Sequence, residues 1–596
     1  MKKRRFLIPL LAFLCLLCAV FLISCREKHV HKLIYRGALE PTCTTEGRLP
    51  HWFCRRCEAC FSDEHAENEI ADPSSVILPF ATHPLDENDY CAICDWKKGT
   101  EGLVYTPDES EAAYLVSGIG SARGDIVVSN RYNGLQVVGV SDSAFRGCRE
   151  LTSLTLPDTV TRIGSSAFED SSLQSIDIPE SVTEIGHSAF RGSALASLHL
   201  PSRVIRVRDY AFLHCAALES ITVAPGNTVY HSAGNCLVET RTGTLVQGCK
   251  SSVIPDDGSV TVIGWGAFAG TALAAVRIPA AVTGMEGSAF AGCTVLHTVA
   301  FDPDSALRRI SDSAFEGCTA LRTVSIPAAV QHIGRHAFQD CNALAELRFA
   351  PGGRLSSLGS MAFRDCDSLT AVALPEGLTD LYGWEFYGCD ALRSIAIPAT
   401  VTVIGWNSFA KCPALEQLTV APGNTVYHEA GNCIIRTADK RLAVGCKSSV
   451  IPDDGSVTSI GIGAFEGSGL TAIDIPADVT HILDMAFSYC EGLAAVRFAD
   501  GSKLSSIGGA AFSRCTALTS ITLPAGVTAI YGNAFGQCTA LLAVFFEAPR
   551  GWQVFDRSVM PATPVPIPVP ANELAYRSVA ATYLTVTYRS YDWKRS

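Results

Sequence analysis

The sequence predicts a repeat solenoid, and three observations carry that prediction. A phenylalanine marker returns along the chain at Phe145, Phe168, Phe190, Phe212, Phe268, Phe290, Phe315, Phe338, Phe363, Phe386, Phe409, Phe465, Phe487, Phe512 and Phe535. Most steps between markers are 22 to 25 residues, a period typical of stacked supersecondary units. Two steps are 56 residues, and both contain the same insertion. It reads "APGNTVYHSAGNCLVETRTGTLVQGCKSSVIPDDGSVT" from Ala224 and "APGNTVYHEAGNCIIRTADKRLAVGCKSSVIPDDGSVT" from Ala421, 197 residues later. A 596-residue chain would otherwise suggest several domains, but a solenoid grows without one expanding core.

Residues 1–25 come first, "MKKRRFLIPLLAFLCLLCAVFLISC". A basic cluster followed by an apolar run from Phe6 to Ile23 is the layout of an export signal. The run is also long enough for an uncleaved membrane anchor. Its ending "LISC" resembles the lipobox of bacterial lipoproteins, which implies that Cys25 is lipidated and becomes the new N-terminus. The protein is then expected outside the cytoplasm, lipid-anchored at the bacterial cell envelope. The formal charge of −12 becomes −16 once Lys2, Lys3, Arg4 and Arg5 are set aside. So acidic a chain has no broad basic field for nucleic acid.

Residues 26–100 differ in composition, with two Cys-x-x-Cys knuckles at Cys54/Cys57 and Cys91/Cys94. Such a knuckle presents two thiolates to one tetrahedral ion. Few large apolar residues surround them, so the segment needs a metal or disulfides to stabilise it. "PTCTTEG" from Pro41, "HWFCRRC" from His51 and "FSD" from Phe61 resemble the small Cys/His modules at the start of many exported bacterial repeat proteins. Glu58 stands where a glycine is usual, and Cys60 is additional. Structural zinc, disulfides and a redox dithiol all fit this pattern. The expectation carried forward is a zinc-ribbon-like module holding structural zinc. Its candidate ligands are His31, Cys43, Cys54, Cys57, His83, Cys91 and Cys94.

Residues 101–140 are strand-rich and read as an N-terminal cap to a solenoid spanning 141–545. One unit, "LRTVSIPAAVQHIGRHAFQDC" (Leu321 to Cys341), shows its logic. Val324 and Ile326 flank Ser325, the alternation of a short half-buried strand that Pro327 ends. "AVQHIG" supplies a second extended piece, and "RHAFQDC" a compact turn with Ala337 and Phe338 inside. A single unit cannot bury its own apolar side. The inserts, at about 224–260 and 421–457, read as hairpins whose cysteines, Cys236/Cys249 and Cys433/Cys446, face each other closely enough for a disulfide.

Most rungs also carry a cysteine three residues after the phenylalanine: Cys148, Cys215, Cys293, Cys318, Cys341, Cys366, Cys389, Cys412, Cys490, Cys515 and Cys538. The other rungs place Ser or Thr there and lose one residue before the next leucine. Such a cysteine belongs to a turn of fixed length, as a buried, shape-filling free thiol would. Beyond "FFEAPRGW" the repeat stops, and residues 546–596 read as a C-terminal cap and tail around a proline-rich connector.

"LTSITLPAGVTAIYGNAFGQCTAL" from Leu518 resembles the BspA-like leucine-rich repeats, over about 400 residues of the chain. The resemblance implies a curved, strand-rich, right-handed coil of repeats about 23 residues long. It also implies adhesion, because the family is associated with host fibronectin and fibrinogen and with bacterial co-aggregation.

No catalytic constellation is present: no Gly-x-Ser-x-Gly, His-Glu-x-x-His, Walker loop or calcium loop. The chain is therefore expected not to be an enzyme. "RGD" at Arg123 to Asp125 reads as a glycine turn entering a strand, with integrin-type adhesion as the competing reading. Function falls to the outward side chains of the strand row: Thr155, Asp177, His199, Arg277, Ser325, Arg348, Ala373, Ala396, Asp474, Arg497 and Thr522. Of these Asp177, His199, Arg277, Arg348, Asp474 and Arg497 are the candidate partner contacts. The expected partner is a protein, such as a host extracellular matrix protein, met at the outer membrane or cell surface. A periplasm-facing scaffold is one alternative. A glycan-binding module is another, which predicts aromatic residues along the row, where Phe545 stands alone.

Overall fold

A computed structural model describes residues 32–39, 47–55, 58–78, 86, 91, 96–556, 567–574 and 576–595. The expected export signal and lipidated Cys25 lie outside them. The chain divides into two compact units, residues 1–100 with 129–135, and residues 101–128 with 136–596.

In the first unit Leu33–Arg36 pairs antiparallel with His51–Cys54, which pairs in turn with Cys60–Phe61. Arg36 sits 3.8 Å over the Phe53 ring, and Tyr35 lies 5.1 Å from Trp52. The Asp63 carboxylate accepts from the backbone N–H groups of Glu67, Asn68 and His65 at 3.1, 2.7 and 2.8 Å. Those bonds hold its carboxyl below the ordinary range.

The zinc-ribbon expectation is overturned. Among the described residues no group of three or more His, Cys, Asp or Glu side chains is placed to hold a metal ion. Cys54 and Cys91 are buried, while His31, Cys43, Cys57, His83 and Cys94 lie outside the described residues. Knuckle spacing is a local pattern, whereas a structural zinc needs four converging ligands. That convergence is missing among the described residues, so neither the module nor its zinc stands.

The second unit is a coil of rungs, each with three runs. A long strand such as Thr323–Ile326 pairs in parallel with the next, Glu346–Phe349, in the register Val324↔Leu347 and Ser325↔Arg348. A short strand such as His332–Ile333 pairs with Ser357–Leu358. The turn forms a third ladder: Phe315 N–H donates to Ala337 O, and Phe338 N–H to Ala362 O, each at 2.7 Å. Backbone groups thus find partners on all three sides, as burial requires. Val324, Ile326, Ile333, Ala337 and Phe338 all point inward. The phenylalanine rings stack, Phe338 lying 5.1 Å from both Phe315 and Phe363 with nearly parallel planes.

Each insertion is a three-stranded antiparallel unit, one strand more than the expected hairpin. Tyr230–Ala233 pairs with Cys236–Glu239, which pairs with Thr244–Gln247. The last of these then enters the short-strand row beside Val262–Ile263. The second copy repeats this with Tyr427–Ala430, Cys433–Arg436 and Arg441–Val444. The possible disulfides within them are corrected: Cys236, Cys249, Cys433 and Cys446 are free, buried thiols. Cys249 turns its Sγ to the Glu219 carbonyl at 3.2 Å, and Cys236 to that of Gly234 at 3.5 Å. A glycine seats each insertion on the coil. A Cβ on Gly248 would stand 2.0 Å from the Phe268 ring, and one on Gly445 2.0 Å from that of Phe465. The bare backbone covers a ring that elsewhere faces another phenylalanine.

The strand Gly124–Val127 begins the long-strand row beside Leu151–Thr155. At the far end Asp592–Arg595 pairs antiparallel with Ala529–Ile530 and with Trp552–Phe555, burying Trp593 and Trp552. Among the described residues no helix is long and apolar enough to cross a membrane.

Candidate partner-binding face

Strand alternation turns every second side chain of the long row outward. Each residue expected there (Thr155, Asp177, His199, Arg277, Ser325, Arg348, Ala373, Ala396, Asp474, Arg497 and Thr522) is exposed. Thr222, Ala300, Thr419 and Phe545 complete the row. The first three stand on strands with no proline directly after the last inward residue, a feature they share with Arg348 and Arg497.

The row is a line, so most of the candidate contacts stand apart. Asp177 sits beside Thr155 in the strand register. His199 Nδ1 lies 2.9 Å from the Thr222 hydroxyl. Arg348 donates to Glu346 at 2.7 Å. Arg277 reaches Asp302 at 2.6 Å and, across to the first insertion, Asp256 at 3.5 Å. Asp474 and Arg497 are direct neighbours, paired in register and joined through Arg497 Nη1 and Asp474 Oδ1 at 3.3 Å. Exposed ion pairs of this kind contribute about 0–1 kcal/mol, so they orient the charged tips and do little to hold the fold.

Arg497 is also where the surface is concave. On one side a depression of about 610 Å³ is lined by Val450, Pro452 and Asp453 of the second insertion, with Asp474 and Phe498. On the other, one of about 380 Å³ is lined by Asp500, Thr522 and Glu547. Arg497, Phe498 and Ala499 line both, so the strand end that carries Arg497 is the ridge between two hollows walled by apolar and acidic residues. Val450 is 72% exposed at the edge of the larger one. Sequence reasoning missed Val450 and Asp453 because they belong to the insertion. The available signal was "SSVIPDDGSV", which copies the row's own "I-P" motif twice.

The "RGD" tripeptide is engaged locally. Arg123 donates to the carbonyls of Ala122 and Gly120 at 2.7 and 3.2 Å, and Asp125 accepts from the Ser153 hydroxyl. Gly124 opens the strand that starts the row, which favours the turn reading. Phe545, the aromatic on the row, lies under the Arg577 guanidinium at 5.1 Å.

A family model described as "BspA type Leucine rich repeat region" matches residues 137–240, 246–352, 350–430 and 444–551. Among solved structures, a leucine-rich repeat protein from Bacteroides ovatus is 25% identical, over 72% of this chain and 94% of that one, with a TM-score of 0.38. A leucine-rich repeat protein from Eubacterium ventriosum is 21% identical, over 62% and 94%, with a TM-score of 0.41. The pneumococcal vaccine antigen PcpA is 17% identical, over 53% and 70%, with a TM-score of 0.36. The search of curated proteins found no match.

Proposed function

Because the chain belongs to the BspA-type leucine-rich repeat family, we propose that it binds another protein at the bacterial cell envelope, using the long-strand row and the hollows around Arg497. It acts by binding and not by catalysis. A row of varied, exposed tips on a buried frame of hydrogen-bonded ladders is how solenoids hold extended partners. The observation that carries the reading is the Arg497 ridge, where charge, apolar edge and concavity coincide.

In this reading residues 141–545 are the scaffold, flanked by end segments at 101–140 and 546–596, and Cys25 carries the lipid anchor. The leading partner is a host matrix protein, fibronectin or fibrinogen, met at the cell surface. The test is binding of the purified chain to immobilised fibronectin and fibrinogen, with the charge-reversed pair Arg497→Glu and Asp474→Lys beside it. Binding that the reversed pair abolishes supports the face; binding unchanged by it places the contact elsewhere. Protease treatment of intact cells addresses the location. Full protection of the repeats would sink adhesion and leave the periplasm-facing scaffold.

A further inference from the structure

The short-strand row is broken at the first insertion, and the break holds a cavity of about 460 Å³. Arg206–Val207 ends one stretch of the row, and the Val207 N–H donates at 3.0 Å to the hydroxyl of Tyr230, a residue of the insertion. Tyr210, Tyr230 and Trp265 line the space together with the acidic residues Asp209, Glu239 and Glu286. No side chain of the long-strand row lines it, so the cavity is independent of the face proposed above.

Shape and charge point to one class of guest. The rings of Tyr210 and Trp265 lie 4.8 Å apart with planes at 71°, giving walls in two directions and no flat platform. A flat sugar ring suits a platform; a compact cationic head suits a corner, where it lies against whichever π face the edge-to-face contact leaves open. Trp265 is 48% exposed, which leaves the indole open to a ligand. Arg208, the cation in the lining, is drawn away to Glu184 at 2.7 Å. Asp209, Glu239 and Glu286 line the space with no other cation among the lining residues. Glu286 accepts from the Trp265 backbone N–H at 2.9 Å and Glu239 from the Thr242 hydroxyl at 2.6 Å, neutral donors that leave both negative charges unpaired by a cation.

The duplicated insertion supplies an internal comparison. At a distance of 197 residues, the positions of Tyr210, Glu239, Gln247, Trp265 and Glu286 hold Asn407, Arg436, Val444, Ile462 and Leu483. The framework is kept: Tyr427 takes the place of Tyr230 and accepts from the Ile404 N–H at 2.9 Å. The Tyr210 and Trp265 rings and all three carboxyl groups are gone, with Trp406 in the place of Asp209, and Arg436 is paired with Asp439 at 2.8 Å. The insertion folds with either lining, so the first copy's aromatic and acidic residues are not demanded by the fold.

We propose that this cavity binds a small organic ammonium ion, its head against the exposed corner that Tyr210 and Trp265 form and its charge offset by Asp209, Glu239 and Glu286. Titration calorimetry of the purified chain with choline tests it. The comparison ligands are 3,3-dimethylbutan-1-ol, the neutral carbon isostere, and methyl glucoside. Saturable choline binding is expected, at least about tenfold tighter than the isostere. Trp265→Ile and Glu239→Arg, the residues of the second copy, should each weaken choline by about tenfold or more with the unfolding midpoint unchanged. Absence of saturable choline binding at millimolar concentration overturns the proposal. So does equal binding of the isostere, indifference to Glu239→Arg, or binding of the glucoside in choline's place. The isostere comparison uses the unaltered protein and holds whatever the variants do to folding.

Discussion

The thiol of Cys341 donates to the carbonyl oxygen of Phe315, one rung back, at 3.2 Å. That carbonyl already accepts from the N–H of Cys318 in its own turn, so the thiol is a second donor arriving from the next rung. The contact recurs at 3.2 to 3.3 Å from Cys318 to Phe290, Cys366 to Phe338, Cys389 to Phe363 and Cys412 to Phe386. Each of these cysteines is both filling and a side-chain tie between neighbours, whereas Cys148 on the first rung turns its thiol to Glu150 at 3.8 Å.

Such thiols should be inert in the folded protein. Burial pushes Cys215 and Cys293 up to about 11 and Cys490 to about 12, so little reactive thiolate forms at neutral pH. Iodoacetamide at pH 8 should leave Cys293, Cys341 and Cys490 unmodified in the native state and label all three in guanidinium, as read by peptide mass spectrometry. Native labelling of Cys341 at a rate near that of a free thiol would contradict the buried tie.

Phe338→Ala removes a ring stacked 5.1 Å from a neighbour on each side. The expected loss is about 3–5 kcal/mol, measured as a lower midpoint in urea. Since each rung leans on its neighbours, amide exchange should quicken in the rungs of Phe315 and Phe363 as well as its own.

These rungs were legible in sequence because Val324, Ile326, Ala337 and Phe338 face inward through local alternation and a fixed turn. The outward row was legible for the same reason, from Ser325 between two buried neighbours. The bond from Cys341 to Phe315 was not, because it depends on how adjacent rungs register. Tyr230–Ala233 escaped notice as a strand because "YHSA" lacks apolar alternation and pairs only through the Gly234–Asn235 turn. The pairing of Trp593 with Ile530 joins segments far apart in the chain. The zinc expectation failed on the opposite ground: two knuckles are local, and convergence is not.

Glu385 gives the fold a pH dependence. It is fully buried in the turn ladder, where the preceding rung has Ala362. One carboxyl oxygen accepts from the Gly383 N–H at 2.7 Å, and the other, Oε2, has no partner. Burial pushes its pKa up. A raised folded value means the group's stabilising contribution is complete below the unfolded pKa of about 4.3 and is lost as pH rises through the folded value. Glu385→Ala should therefore gain on the parent protein as pH rises from 4 to 7, in thermal midpoints measured side by side. A constant difference across that range would show that Glu385 does not titrate on folding.

The two insertions offer the same bond twice, which allows one copy to control for the other. Tyr230 Oη accepts from the Val207 N–H at 3.0 Å, and Tyr427 Oη from the Ile404 N–H at 2.9 Å. Both N–H groups stand where the short-strand row is interrupted, so the tyrosine hydroxyl replaces the missing strand carbonyl. Tyr230→Phe keeps the ring and takes the acceptor from a half-buried amide, a change that costs about 0.5–1.5 kcal/mol. Hydrogen exchange should speed at Val207 and stay as it was at Ile404, with the reverse for Tyr427→Phe, because sites this far apart act independently. Exchange that quickens at both amides in either variant would mean the insertions open together, and that the coil between them transmits the loss.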